Sequence, residues 1–320
     1  MERLTSHLLT NDTKIWRYMD YESLIWTLQT NQIHLHRSDC FDDSLEGSVP
    51  TALTEISDKN YGEILADTPE DSSDTDPEEM MKAYAEGMRE ATFLSCWHIN
   101  EGESMAMWDL YGRSNKSVAI QSTVGKLSSA VKEPNGGTTY IAPVLYADYN
   151  ASPDDLDRQS RESLETLFSR QRPPKMTDLY QLKEKSFSHE QELRIIYQST
   201  DIIGEPADES DEDAFTPSGP LPYDTKDSDH FPNDVPATDG FNTTVDIAEL
   251  IETIHMAPES SKTVKESLSG VLDGDSSIPI SSSRLEPTTI PGDPDFDMGP
   301  YQFERLVNAV PEEELEDSED

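Results

Sequence analysis

The chain has 320 residues, with 65 Asp and Glu against 24 Lys and Arg, a formal charge of -41 and a pI near 4.2. A protein of that charge carries no basic track, which argues against a nuclease and against non-specific nucleic-acid binding at low salt. At 34% hydrophobic it can bury one moderate core, but not a core running through all its residues.

Exposed like charges repel over about 10 Å at 0.1 M salt and over about 3 Å at 1 M. Scarce Lys and abundant Asp therefore read as a halophilic protein whose acidic surface holds solvent K+ or Na+. A mesophilic protein with acidic disordered tails is the alternative. No stretch approaches the roughly 18–20 apolar residues of a membrane span, and no apolar signal region opens the chain. The expectation is a cytoplasmic protein with no membrane attachment. Cys40 and Cys96 lack CxxC spacing, so neither a disulfide framework nor a zinc site is expected.

In chain order, Ile15–Tyr18 reads as a short strand, and Tyr21–Thr30 as a helix with Leu24, Ile25 and Leu28 at helical spacing. Ile33, Leu35 and Arg37 alternate as a half-buried strand does. A turn-rich segment follows over Asp39–Ser48. Residues 55–78 read as an acidic surface insertion, and Met80–Ala91 as a helix with Met81, Tyr84, Ala85 and Met88 on one face. Phe93–Trp97 is a strand, Ser104–Tyr111 a helix, Val118–Gln121 a strand and Ser122–Val131 a helix. Gly136-Gly137 predicts a hairpin turn into a strand over Tyr140–Tyr146. A helix over Asp154–Arg170 ends before Pro173-Pro174. Glu192–Tyr197 is a strand covered on both faces, and residues 204–238 form a Pro-, Asp- and Ser-rich mobile insertion. A last strand over Leu250–Met256 and a last helix over Ser260–Leu272 complete the pattern. The strand spacing is too uneven for a βαβ series. It predicts an α+β fold with a single mixed, mostly antiparallel sheet and flanking helices. One domain over 1–286, with acidic insertions near 55–78 and 204–238, precedes an acidic, disordered tail over 287–320.

Four blocks carry candidate chemistry. In Trp16-Arg17-Tyr18 an Arg flanked by aromatics can grip a phosphate or ribose with its planar fork, or can pair with a carboxylate of its own chain. Phe41–Ser48 clusters Asp42, Asp43 and Glu46, either as oxygen ligands for a hard cation or as an Asx-turn that fixes the loop. The loop lacks calcium-loop spacing, which favours the turn. In Phe93–His98, Cys96 and His98 share a strand face at more than hydrogen-bond spacing, which favours a packed Cys over a nucleophile. Met107, Trp108 and Tyr111 read as core or pocket wall. In Phe187–Arg194, Glu190, Glu192 and Arg194 fall on one face if the strand starts early. Two carboxylates and an Arg are costly to bury without a purpose or a partner. A surface ladder from Glu192 to Arg194 is the bland alternative.

These blocks, with Glu103–Tyr111, Val118–Thr123, Lys185–Arg194 and Ile278–Leu285, resemble the family called domain of unknown function 2971, in order over Thr13–Leu285. Two positions depart from it. Ser44-Leu45 stands where the family often has Pro-Phe before the Glu of its second block. Glu184 stands where a basic residue usually precedes the fifth. A second likeness covers few residues. Arg17 on the first strand, Ser95 on a middle strand and Glu190-Gln191-Glu192 on a later one resemble the Arg–Ser–Glu class of ADP-ribosyltransferases.

That likeness implies cleavage of NAD through an oxocarbenium-like state. It implies Glu192 holding the ribose hydroxyls and stabilising positive charge, Glu190 positioning the acceptor and Ser95 orienting the strand. Arg17 would hold phosphate or ribose, with Tyr18 and Arg194 beside it, and Trp97 and Trp108 would stack on a ring of the ligand. The function implied is an ADP-ribosyltransferase-like enzyme using NAD on a macromolecular target, in defence against phage. The alternative is a non-catalytic nucleotide- or protein-binding module, such as an antitoxin, sensor or adaptor, in which Arg17 and Glu192 form a structural ion pair. The pocket requires Arg17, Ser95 and Glu192 to meet in one cleft walled by Trp97 or Trp108.

Overall fold

Strand-forming residues dominate eight consecutive positions, Glu192–Ser199, and all eight are buried. They form the central ladder of the computed structural model, which describes residues 1–5, 8–53, 87–112, 115–167, 176–199, 239–272 and 278–285. The expected insertions at 55–78 and 204–238, the tail over 287–320 and most of the expected helix Met80–Ala91 lie outside the described residues. Residues 87–91 of that helix are present.

The strands are β1 (Glu2–Arg3), β2 (Lys14–Met19), β3 (Gln32–Arg37), β4 (Thr92–Ile99), β5 (Val118–Thr123), β6 (Gly137–Pro143), β7 (Leu145–Ala147), β8 (Leu182–Glu184), β9 (Glu192–Ser199), β10 (Gly240–Thr244), β11 (Thr253–Met256) and β12 (Ile280–Ser282). Ten of them form one sheet in the order β1-β6-β9-β4-β2-β5-β11-β12, with β3 also pairing β4 and β10 pairing β3. Only the β1–β6 and β11–β12 pairs in this sheet are parallel. The fold is α+β with one large, mostly antiparallel sheet and flanking helices, as the strand pattern predicts. A separate parallel pair joins β7 to β8.

The helices are α1 (Tyr21–Thr30), α2 (Met105–Tyr111), α3 (Val124–Ala130), α4 (Arg158–Leu167), α5 (Ile247–Leu250) and α6 (Lys262–Leu272). Local chemistry fixes their ends. The Asp20 carboxylate accepts from Ser23 N at the start of α1, and Asn31 closes that helix in the left-handed region at φ 53°. Ser104 and Thr123 cap α2 and α3 in the same way.

Cross-strand partners share a face of the sheet. One face carries Ile15, Phe93, Trp97, Ile120, Leu193 and Ile195, which pack with Leu24 of α1, Leu127 of α3, Leu250 of α5 and Leu268 of α6. The other face carries Trp16, Tyr18, Leu94, Cys96, His98, Glu192, Arg194 and Ile196. It is covered by Met107 and Trp108 of α2 and by Tyr180. The first face is the main core, and the second holds the charge.

Three expectations are corrected. Gly136 has a positive φ of 75°, but no hairpin forms there, because β6 pairs antiparallel with β9 and parallel with β1 and not with the segment that leads into the turn. The strand expected over Tyr140–Tyr146 breaks at Val144, and its second half pairs with β8 in the smaller sheet. Residues Lys185–Glu190 form a 3-10 helix, so β9 does not start early. The sequence pattern does not predict strands β1, β8, β10 and β12. Among the described residues, no helix is long and apolar enough to cross a membrane.

Ile195 is fully buried at the centre of β9. Ile195→Ala should lower unfolding free energy by about 2–5 kcal/mol, the range for emptying a packed aliphatic position. Denaturant melts compared with wild type would read this directly.

Candidate functional site

Arg194 sits in the middle of β9 with 0% exposure. A guanidinium cannot discharge itself there, so the fold supplies anions. Nη1 and Nη2 donate to Glu46 Oε1 and Oε2 at 2.7 and 2.8 Å, Nε donates to Glu192 Oε2 at 2.8 Å, and Nη1 also reaches the Tyr180 carbonyl at 2.9 Å. Glu46 arrives from the Phe41–Ser48 loop. Asp43 Oδ1 accepts from Leu45 N at 2.9 Å, which is the Asx-turn. Gly47 follows at φ +68°, where an added Cβ would lie 2.7 Å from Tyr180 Cε1. Glu46 therefore leaves the acidic loop and turns inward.

Lys183, on β8, extends the cluster outward. Its Nζ donates to Glu192 Oε1 and to Glu190 Oε2, both at 2.5 Å, and lies 4.5 Å from the Phe187 ring centroid. Glu190 Oε1 accepts the Tyr111 hydroxyl at 2.9 Å. Tyr111 is 47% exposed, so this is the cluster's solvent side. Gln191, at φ 41° and ψ 57°, is the left-handed residue that ends the 3-10 helix. That turn, and not a continuous strand, lets Glu190 and Glu192 both meet one ammonium.

The two carboxylates differ electrostatically. Burial pushes Glu192 up, but Arg194 and Lys183 together hold it well below the usual carboxylate range. Burial and the neighbouring Glu192 charge raise Glu190, against the pull of Lys183. The contacts agree with this division: Glu192 has a cation on each oxygen, and Glu190 has a cation on one and a hydroxyl on the other. Burial also raises Glu46, against its Arg194 partner. The Cys96 thiol is pushed up first by burial and then by Glu192, which makes it a poor nucleophile.

The register divides the residues expected in one cleft. Tyr18, Glu192 and Arg194 lie on the charged face, where Tyr18 meets Trp108 edge-on at 4.8 Å. Arg17, Ser95 and Trp97 lie on the opposite face. There Arg17 Nη1 donates to Ser95 Oγ at 2.9 Å, Nη2 reaches the His34 carbonyl at 3.4 Å, and the guanidinium carbon lies 5.6 Å from the Trp97 ring centroid. β2 registers with β4 only at Ile15–Ile99 and Trp16–His98, and β3 only at His36–Leu94 and Arg37–Phe93. Arg17 bonds across the fork that opens between them. Arg17 and Ser95 are thus brought together, but not with Glu192, and Trp97 and Trp108 do not wall one pocket. Arg17 does not pair with Glu192 either, because Lys183 and Arg194 take both oxygens of that carboxylate.

Glu46, Lys183 and Tyr111 complete the cluster: Glu46 reads from sequence as a loop carboxylate or cation ligand and Tyr111 as core or pocket wall, and Lys183 carries no signal of its own. The signal for Glu46 is the resemblance itself, since it is the Glu of the family's second block. Lys183 supplies a basic group one position before Glu184, where the sequence departs from the family pattern.

A family model described as a protein of unknown function (DUF2971) matches residues 107–195. That span holds Trp108, Tyr111, Lys183, Glu190, Glu192 and Arg194, and the resemblance to this family stands over it. No curated protein matches the chain. Among solved structures, DarT of Thermus sp. 2.9 in complex with carba-NAD+ is similar at 11% identity and a TM-score of 0.31, over 86% of this chain and 97% of that one. The same protein in complex with NAD+ gives 11% identity and a TM-score of 0.32, over 86% and 96%. Superpositions this loose carry nothing about activity.

Two predictions follow from the geometry. Arg194→Met leaves Glu46 and Glu192 buried without their shared cation and should cost about 3–5 kcal/mol. Glu46→Gln, which keeps a neutral partner in place, should cost less, as paired denaturation curves would show. The second concerns pH. Glu192, lowered in the fold, contributes stability that is present above the usual glutamate range and is lost as pH falls through its folded value. Glu190, raised in the fold, contributes stability that is present below that range and is lost as pH rises through its own folded value. Glu192→Gln should therefore flatten the acid side of a stability–pH curve, and Glu190→Gln the side above the usual glutamate range.

Proposed function

We propose that the Glu190–Lys183–Glu192 cluster is the reaction centre of a ribosyl-transfer enzyme of the ADP-ribosyltransferase kind, with NAD as co-substrate. The observation that carries this is the division of labour between two carboxylates on one ammonium. Environments that drive paired carboxyls in opposite directions mark an acid–base assignment. In the reaction, the bond from ribose C1 to the nicotinamide nitrogen breaks and its electron pair stays with the leaving ring. Glu192, held ionised, stabilises the positive charge left on the sugar. The acceptor atom bonds to C1, and its proton passes to Glu190, whose raised proton affinity suits a general base.

Tyr111 offers exposed aromatic surface beside Glu190, backed by the buried Tyr18 and Trp108, which fits the ribosyl-nicotinamide end of the molecule. The diphosphate end fits less well. Arg17 lies on the other face, and Lys183 and Arg194 are engaged by carboxylates. With a chain charge of -41, approach of an anionic dinucleotide needs strong screening, which is the reason to propose that the protein works in high salt with K+ or Na+ at its surface.

A second reading has its own support. Glu46, Glu192 and Arg194 satisfy one another so fully that they also suit the polar core of a non-catalytic nucleotide- or protein-binding module.

The test is release of nicotinamide from labelled NAD+ in potassium chloride at about 1 M or more, where screening is short. Wild type should turn NAD+ over. Glu192→Gln should lose on the order of 100- to 1,000-fold in rate, and Glu190→Gln on the order of 100-fold or more, in variants that still melt cooperatively. A folded wild type with no turnover and no transfer would favour the binding module.

A further inference from the structure

His98 belongs to neither of the motif readings that marked the carboxylates, yet the sheet delivers it to them. It is the direct cross-strand partner of Glu192 on the charged face, with Trp16 as its partner on the other side. Residues so paired have Cβ atoms about 4.5–5.5 Å apart. Its Nδ1 lies 2.6 Å from the Glu190 carbonyl, and its ring centroid lies 6.2 Å from that of Tyr18. The imidazole therefore stands between the aromatic wall and the reactive carboxylate.

A carbonyl oxygen only accepts, so Nδ1 carries the proton, and in the neutral ring Nε2 is left with a bare lone pair. Burial lowers the proton affinity of the ring, against the Glu190 bond, which favours that neutral form. His98 is 6% exposed, and no donor of the described protein reaches its Nε2. A buried acceptor without a donor is costly. Turning the ring to find one would sacrifice the bond to Glu190.

We propose that His98 is a ligand-binding residue of the carboxylate site, its Nε2 accepting a hydrogen bond from an O–H or N–H group on the bound molecule. This rests on the reading of the cluster as a site for NAD. At its ribosyl-nicotinamide end that molecule offers two such donors, ribose hydroxyls and the carboxamide N–H, and both are within the chemistry a fixed imidazole acceptor selects. ADP-ribose keeps the hydroxyls and nicotinamide keeps only the carboxamide, so the pair separates the two sources.

The experiment uses the full chain in concentrated potassium chloride, with 15N-labelled histidine. Binding of NAD+, ADP-ribose and nicotinamide is followed by calorimetry, and the His98 ring nitrogens by NMR. The expected result is an Nε2 resonance that shifts with NAD+ and with whichever fragment carries the donor. His98→Asn places an amide nitrogen where Nδ1 stood and nothing where Nε2 stood. It should keep the thermal midpoint close to wild type and weaken NAD+ binding on the order of tenfold, the worth of one neutral hydrogen bond. If wild type binds NAD+ while Nε2 does not move, the His98 assignment is overturned and the functional reading survives. If wild type binds no NAD+, the functional reading fails and the His98 assignment fails with it.

Discussion

A guanidinium in the middle of the most buried strand is the constraint from which the rest of the charged face follows. Arg194 cannot lose its proton or reach solvent, so two carboxylates must come to it. One, Glu192, lies two residues away along β9. The other, Glu46, comes from a loop shaped by the Asp43 turn and by Gly47. Glu192 is then a fixed anion with one oxygen still to be satisfied, and Lys183 satisfies it. Lys183 in turn holds Glu190, and Glu190 meets the exposed Tyr111. Charge is thereby handed from the core to the surface through alternating signs, each link made by hydrogen bonds of 2.5–2.9 Å.

The two faces of the sheet have separate tasks. The face under α1, α3, α5 and α6 is apolar and gives the strands a rigid backing. Arg17 is a half-buried polar exception on that face. It bonds across the fork between β2 and β3, where part of β4 lacks a neighbouring strand, and it is anchored by a hydroxyl, a carbonyl and an indole ring instead of a carboxylate. The other face carries the candidate chemistry. A site built on such a backing is more precise than one carried by loops alone.

Much of the architecture was legible in the chain. Tyr21–Thr30 announced a helix through Leu24, Ile25 and Leu28, and the alternation of Leu193 and Ile195 announced a covered strand. Legibility failed where spacing was ambiguous or the partner was distant. Glu190 and Glu192 are two apart, which is a strand's repeat, but a left-handed Gln191 and a 3-10 helix produce the same convergence by another route. The Tyr140–Tyr146 run reads as one strand, yet its last residues find a partner in β8. Lys183 reads as an ordinary charge and Glu46 as one of three loop carboxylates, because nothing local distinguishes a carboxylate that will meet Arg194 from one that will meet water.

Composition, periodicity and the order of the motifs were enough to establish the α+β class, and they singled out Glu190, Glu192 and Arg194. Those properties depend on neighbours along the chain, and the chain displays its neighbours. Which side of the sheet Arg17 and Glu192 occupy depends on strand register, and register is set by packing among segments far apart in sequence. That packing separated Arg17, Ser95 and Trp97 from Glu192. It also added Glu46, Lys183, Tyr111 and His98 to the carboxylate site, because side chains remote along the chain can meet only once the sheet and its covering layer have closed.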